Sequence, residues 1–168
     1  MRADDLEHDL DPDFDRVTVL VDGRPVVMSP SPSTSLLRGL REAGHTATTG
    51  ACEQGECGSC TVLLDGRMIC SCLVPAAVCD GSSVVTVTGL VRPDLAEALA
   101  RHGAVQCGFC TPGFVVAAET LLSAVDARSS QVPTMDEVRE ALSGNLCRCT
   151  GYEGLLAAVH ETARSRRS

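Results

Sequence analysis

The chain has 168 residues, enough for one mid-sized domain or two small ones. Hydrophobic residues make up 44% but aromatics only 2%, with no Trp, so the core must be built from Val, Leu and Ala. A net charge of −8 and the scarcity of aromatic rings argue against a nucleic-acid binder, which needs a basic surface and stacking platforms.

Residues 1–14 are dense in charge, lack periodicity and read as a polar N-terminal tail. Their acidic opening is unlike a basic-then-apolar secretory signal. No apolar run is long enough to span a bilayer, so a cytoplasmic, membrane-free protein is expected. The alternation of Val17, Val19 and Val21 predicts a strand, Asp22-Gly23 a hairpin turn, and RPVVMS the return strand. SPSTSLLRGLREAG reads as a capped helix with Leu36, Leu37 and Leu40 on one face. The Gly-rich stretch from Gly44 to Cys60 lacks a period and reads as a loop that wraps something. TVLLDGRMIC predicts a second hairpin around Asp65-Gly66, and a closing strand is expected from Ser83 to Thr88.

After Gly89 the period becomes helical. Four helices are expected, in PDLAEALARHG, TPGFVVAAETLLSAV, VPTMDEVREALSG and GYEGLLAAVHETARS, with DARSSQVPT as a polar linker between the middle two. Thr134 followed by Glu137 is a capping-box signature. The fold class expected is α+β followed by an all-α unit, with the division at residues 15–90 and 91–168.

Eight of the ten cysteines fall into two groups. The first is Cys52, Cys57 and Cys60 in ACEQGECGSCTV, with a fourth member from Cys70 or Cys72, which follow. Its C-x4-C-x2-C spacing is the plant-type [2Fe–2S] pattern and differs from the paired C-x2-C of structural zinc. Glycines 55 and 58 allow the tight curl that lets one loop present three thiolates. Cys70 and Cys72 lie two residues apart, would share one side of a strand, and periodicity does not choose between them. The second group is Cys107 and Cys110 in QCGFCTPG with Cys147 and Cys149 in NLCRCTGY. Each pair precedes a helix, where the dipole and free N–H groups are expected to lower thiolate pKa. Phe109, Phe114 and Tyr152 lie beside this group and are expected to make it the drier of the two. No Cys has a His two residues away, which excludes a Rieske-type centre. Cys79 reads as an inert buried thiol.

In this order, CEQGECGSCTVLLDG, CSCLVPA, QCGFCTPG and NLCRCTGY resemble the small iron–sulfur subunit of molybdenum hydroxylases, over roughly residues 15 to 163. That family includes xanthine dehydrogenase, carbon monoxide dehydrogenase, aldehyde oxidoreductase and N-heteroaromatic hydroxylase types. The resemblance implies a plant-ferredoxin-like β-grasp domain followed by a four-helix domain. It implies Cys72, rather than Cys70, as the fourth ligand of the first cluster, and Cys107, Cys110, Cys147 and Cys149 as ligands of the second. Gln106 and Cys149 would approach the pterin, and the second cluster would lie buried near it. The partners implied are a large subunit with a molybdenum–pterin dinucleotide and a medium subunit with FAD, as a dimer of heterotrimers. Electrons from hydroxylation of a small aromatic heterocycle, aldehyde or purine would pass through both clusters to FAD. This chain would carry no substrate site and no catalytic acid or base. Two alternatives remain from other classes. A free-standing two-cluster ferredoxin would have little use for a second, more buried cluster. A zinc-stabilised interaction module is disfavoured by the spacing of Cys52, Cys57 and Cys60 and by the single residue between Cys147 and Cys149.

Overall fold

In the computed structural model, which describes residues 16–128 and 131–167, Val17, Val19 and Val21 point inward along β1 (Val17–Val21) while Thr18 and Leu20 face out. The period-two reading therefore holds at its first test. The polar tail expected over residues 1–14 lies outside the described residues. β1 pairs antiparallel with β2 (Arg24–Met28) through the Asp22-Gly23 turn, where both residues take positive φ. β3 (Thr61–Leu64) and β4 (Arg67–Cys70) form the second hairpin around Asp65-Gly66. β5 (Ser83–Val85) lies between the hairpins, parallel to β1 and antiparallel to β3, giving the sheet order β2-β1-β5-β3-β4. α1 (Leu36–Glu42) packs on this sheet. The Ser35 hydroxyl accepts from the Arg38 N–H as its N-cap, and Leu36 and Leu40 enter a core with Val19, Val62 and Val84. This is the ferredoxin-like arrangement that the resemblance implied.

Two details differ from the expectation. The closing strand ends at Val85 instead of running to Thr88. Both carboxylate oxygens of Asp22 capture Thr86, one accepting from its N–H and the other from its hydroxyl, each at 2.7 Å. The same hydroxyl accepts from the Thr88 N–H, capping a short helix α2 (Val87–Leu90). β4 likewise ends at Cys70, and Cys72 sits in a 3-10 turn over Ser71–Leu73, so Cys70 and Cys72 do not share a strand face. The Ser71 hydroxyl donates to the Cys60 carbonyl at 2.7 Å, which folds the chain out of the strand there.

The four expected helices are α3 (Pro93–Arg101), α4 (Thr111–Arg128), α5 (Met135–Leu142) and α6 (Glu153–Ser165). α4 takes in the first three residues of the expected linker. The capping box forms as read: Thr134 caps the Glu137 N–H and Glu137 accepts from the Thr134 N–H. Leu95, Phe114, Leu122, Leu142, Leu155 and Val159 share a second core. A buried ion network ties α3, α4 and the end of α6. The Arg166 guanidinium, 8% exposed, bridges Asp94 and Glu119, and Glu119 is 1% exposed.

Candidate iron–sulfur centres

All ten cysteines are free thiols. The first group is built on the irregular loop before β3. Gly55 and Gly58 take positive φ, which only glycine adopts without strain. At Gly58 a side chain would also collide with the Gly144 carbonyl and the Asn145 amide. Cys60, at the entrance to β3, is buried, while Cys52 and Cys57 are half-buried. The Cys52 thiol accepts from the Gln54 N–H at 3.4 Å. Hydrogen bonds from the Gln54 and Cys57 backbone, helped by the Cys57 thiol, bring its pKa down to about 6. Burial, followed by the neighbouring Cys60 thiol, pushes Cys72 up to about 12. Cys70 is raised by burial and then by Cys60, and its sulfur lies 3.8 Å from the Gly55 carbonyl. Both Cys70 and Cys72 therefore stand beside Cys60.

The second group is split between two loops. Cys107 and Cys110 precede α4, and Cys147 and Cys149 precede α6. The fold pairs these thiols across the loops: the sulfurs of Cys107 and Cys149 lie 3.6 Å apart, and those of Cys110 and Cys147 interact. The expected lowering by helix N-termini is present at Cys147, while Cys110 is raised and Cys149 is raised by its contact with the Cys107 thiol. Burial, with Cys147 next, pushes Cys110 up to about 12. At Cys147 burial acts upward, but the Thr150 hydroxyl at 3.2 Å and the Thr150 and Cys149 N–H groups outweigh it, giving about 7. The expectation of a drier second group is also reversed in this chain taken alone. Cys107, Cys149 and the neighbouring Gln106 are exposed, and Phe109 is 48% exposed. Phe114 is buried, and Tyr152 packs on it edge-to-face at 6.0 Å. Tyr152 has a second task that its aromatic character did not announce. Its hydroxyl accepts from the Cys147 N–H at 2.9 Å while its backbone holds φ +70°.

Sequence reasoning also passed over Ser59, Thr150, Thr49 and Asn145. Ser59 and Thr150 place hydroxyls 3.2 Å from the sulfurs of Cys57 and Cys147. A hydroxyl residue two or three places after a cysteine was the available signal. Thr49 and Asn145 act across long sequence separations and left none.

Among the described residues, no three Cys, His, Asp or Glu side chains converge as a shell for one metal ion. The donor chemistry of both groups is nonetheless that of an iron–sulfur cluster: sulfur-only sets of thiols, with backbone N–H and hydroxyl groups directed at sulfur. The two groups define a two-cluster iron–sulfur protein. Residues 19–82 match the family described as "2Fe-2S iron-sulfur cluster binding domain", and residues 86–160 match "[2Fe-2S] binding domain". The chain is 44% identical to the nicotine 6-hydroxylase small subunit of Paenarthrobacter nicotinovorans, covering 94% of this chain and 89% of the relative. It is 40% identical to the xanthine dehydrogenase iron-sulfur-binding subunit of Escherichia coli O157:H7, covering 87% and 92%. It superposes on a chain of quinoline 2-oxidoreductase from Pseudomonas putida 86 with a TM-score of 0.78 and 42% identity, covering 91% of this chain and 98% of that one. The chain belongs to the family of small iron–sulfur subunits of molybdenum hydroxylases, and so carries two [2Fe–2S] clusters as a subunit of an oxidoreductase.

Proposed function

We propose that this chain is the electron-transfer subunit of a cytoplasmic molybdenum hydroxylase that oxidises a small aromatic heterocycle, aldehyde or purine. When bound, its two [2Fe–2S] clusters supply one-electron relays between a molybdenum–pterin dinucleotide on a large partner subunit and FAD on a medium one, in a dimer of heterotrimers. Cys52, Cys57, Cys60 and Cys72 hold the first cluster; Cys107, Cys110, Cys147 and Cys149 hold the second. Residues 15–90 and 91–168 form the two cluster-binding units, with α2 as the connector. The cross-loop pairing of the second group's thiols carries the reading, because it joins two loops about 40 residues apart in sequence into one sulfur-only cage.

The environment supports a direction. On the second group's open side, Val105, Phe109 and Leu146 are 42%, 48% and 57% exposed beside Gln106, Cys107 and Cys149. Apolar side chains clustered around exposed thiols suit a face covered by a partner subunit, with Gln106 and Cys149 turned toward the pterin. No helix among the described residues is long and apolar enough to cross a membrane.

The test is iron and acid-labile sulfide content with EPR of the reduced protein. About four irons, four sulfides and two distinct signals per chain are expected. Cys57→Ser and Cys72→Ser should each remove the same signal and leave the other reducible by substrate, while Cys70→Ser should remove neither. Zinc without sulfide would overturn the reading.

A further inference from the structure

The two thiol cages are welded to each other by groups that are not ligands. The Cys57 carbonyl accepts from the Leu146 N–H at 2.9 Å, and Leu146 directly precedes Cys147. The Asn145 carboxamide, 4% exposed, donates to the Gly58 carbonyl at 2.9 Å. That carbonyl is also held by the Thr61 hydroxyl at 2.6 Å. At the other half of the second cage, the Thr49 hydroxyl lies 2.8 Å from the Phe109 carbonyl and 3.2 Å from the Ser59 carbonyl, so one donor serves both loops. Phe109 directly precedes Cys110. The loop of the first group is therefore tied separately to each loop of the second.

The weld is also close-packed. A side chain at Gly113, in the first turn of α4, would overlap the Gly58 carbonyl, and one at Gly58 would overlap Gly144 and Asn145. Backbone thus meets backbone where the cages approach. A hydrogen-bonded amide buried here has little freedom to exchange partners, because an unsatisfied buried carbonyl is costly.

We propose that Asn145, with Thr49 as its counterpart, is a positioning residue that fixes the distance and orientation between the two clusters, and with them the rate of electron passage between the cages. The proposal rests on the reading that both cages carry clusters. It assigns Asn145 no ligand and no redox role. Its side chain acts through the Gly58 carbonyl on the loop bearing Cys57 and Cys60, and through its own backbone on the loop bearing Cys147 and Cys149.

The experiment compares the full-length, cluster-loaded chain with Asn145→Ala and Thr49→Val. Iron, sulfide and the two EPR signals are quantified first. Pulsed EPR of the fully reduced protein then reads the dipolar splitting between the clusters, which falls as the inverse cube of their separation. Two full signals with a smaller or broadened splitting are expected in Asn145→Ala, and the same change, less pronounced, in Thr49→Val. Full signals with the wild-type splitting in both variants would overturn the proposal. If Asn145→Ala fails to hold its clusters, Thr49→Val decides alone. Loss of a cluster in both would also overturn it, since the weld would then serve cage assembly and not spacing. Failure of the two-cluster reading is distinct: the wild-type chain itself would lack two signals.

Discussion

Arg166→Ala should be the most damaging single change outside the cages. The Arg166 guanidinium donates to Asp94 at 2.6 and 2.9 Å and to Glu119 at 3.0 Å twice, closing the end of α6 onto α3 and α4. Glu119 is 1% exposed, so removing its partner leaves a carboxylate that water cannot reach. Breaking a buried pair costs about 3–5 kcal/mol. Arg92 remains, with its N–H 3.2 Å and its Nε 3.4 Å from Glu119, which places the cost at the lower end. At ~3 kcal/mol, and ~2–4 °C per kcal/mol for a chain of this size, Tm should fall by roughly 6–12 °C. The pH dependence is a second check. Burial raises the Glu119 pKa, so the native state holds this proton more tightly than the unfolded chain does. Its contribution to stability is therefore present below the ordinary carboxylate range and lost as pH rises through the folded value. Without Arg166 this penalty grows, so the gap to wild type should widen as pH rises above the ordinary carboxylate range. Carboxylates that Arg166 does not contact, those other than Asp94, Glu119 and Asp126, titrate alike in both proteins and cancel. Far-UV circular dichroism melts across that range suffice. Arg166→Met combined with Glu119→Leu should recover most of the loss, because no uncompensated charge then stays buried. A Tm change under about 2 °C, or a gap that widens in acid, would refute the reasoning.

Two other substitutions probe local devices. Thr134→Ala removes the capping box of α5 and should cost about 1 kcal/mol, read as a lower Tm. Hydrogen bonds from Thr134 lower the Glu137 pKa, so its stabilisation is present above the ordinary value and lost on acidification, and the variant's deficit should shrink as pH falls. Gly58→Ala forces φ +69° on a residue with a Cβ and drives that Cβ into Gly144 and Asn145, so the chain should lose first-cluster absorbance and ~1–3 kcal/mol; unchanged spectra and Tm would contradict the collision.

Strands and helices with one buried face were legible because their period appears directly in the sequence. Val17, Val19 and Val21 announced β1, and Thr134 with Glu137 announced the start of α5. Spacing likewise announced two sulfur-only groups. What stayed hidden depends on partners distant in sequence. The strand expected to Thr88 stops at Val85 because Asp22, 64 residues away, takes Thr86 with both carboxylate oxygens. Asn145 reaches Gly58 across 87 residues. Asp22 was legible only as a turn residue, and Asn145 belongs to no local pattern that would single it out. The second group's exposure was misjudged for another reason: nearby aromatics were read as cover, yet Phe109 points outward and only Phe114 is buried.

The thiol chemistry and the weld bear on each other. Four thiols held together cannot all ionise without a cation, since each charged neighbour raises the next. The fold shows this conflict within each cage, with Cys52 near 6 against Cys72 near 12, and Cys147 near 7 against Cys110 near 12. The thiols of each cage would bind a cluster as thiolates and give up their protons, so loading would be coupled to the order of the loops. Because the first loop reaches both loops of the second cage through Thr49, Asn145 and the Leu146 N–H, order gained in one cage restrains the other.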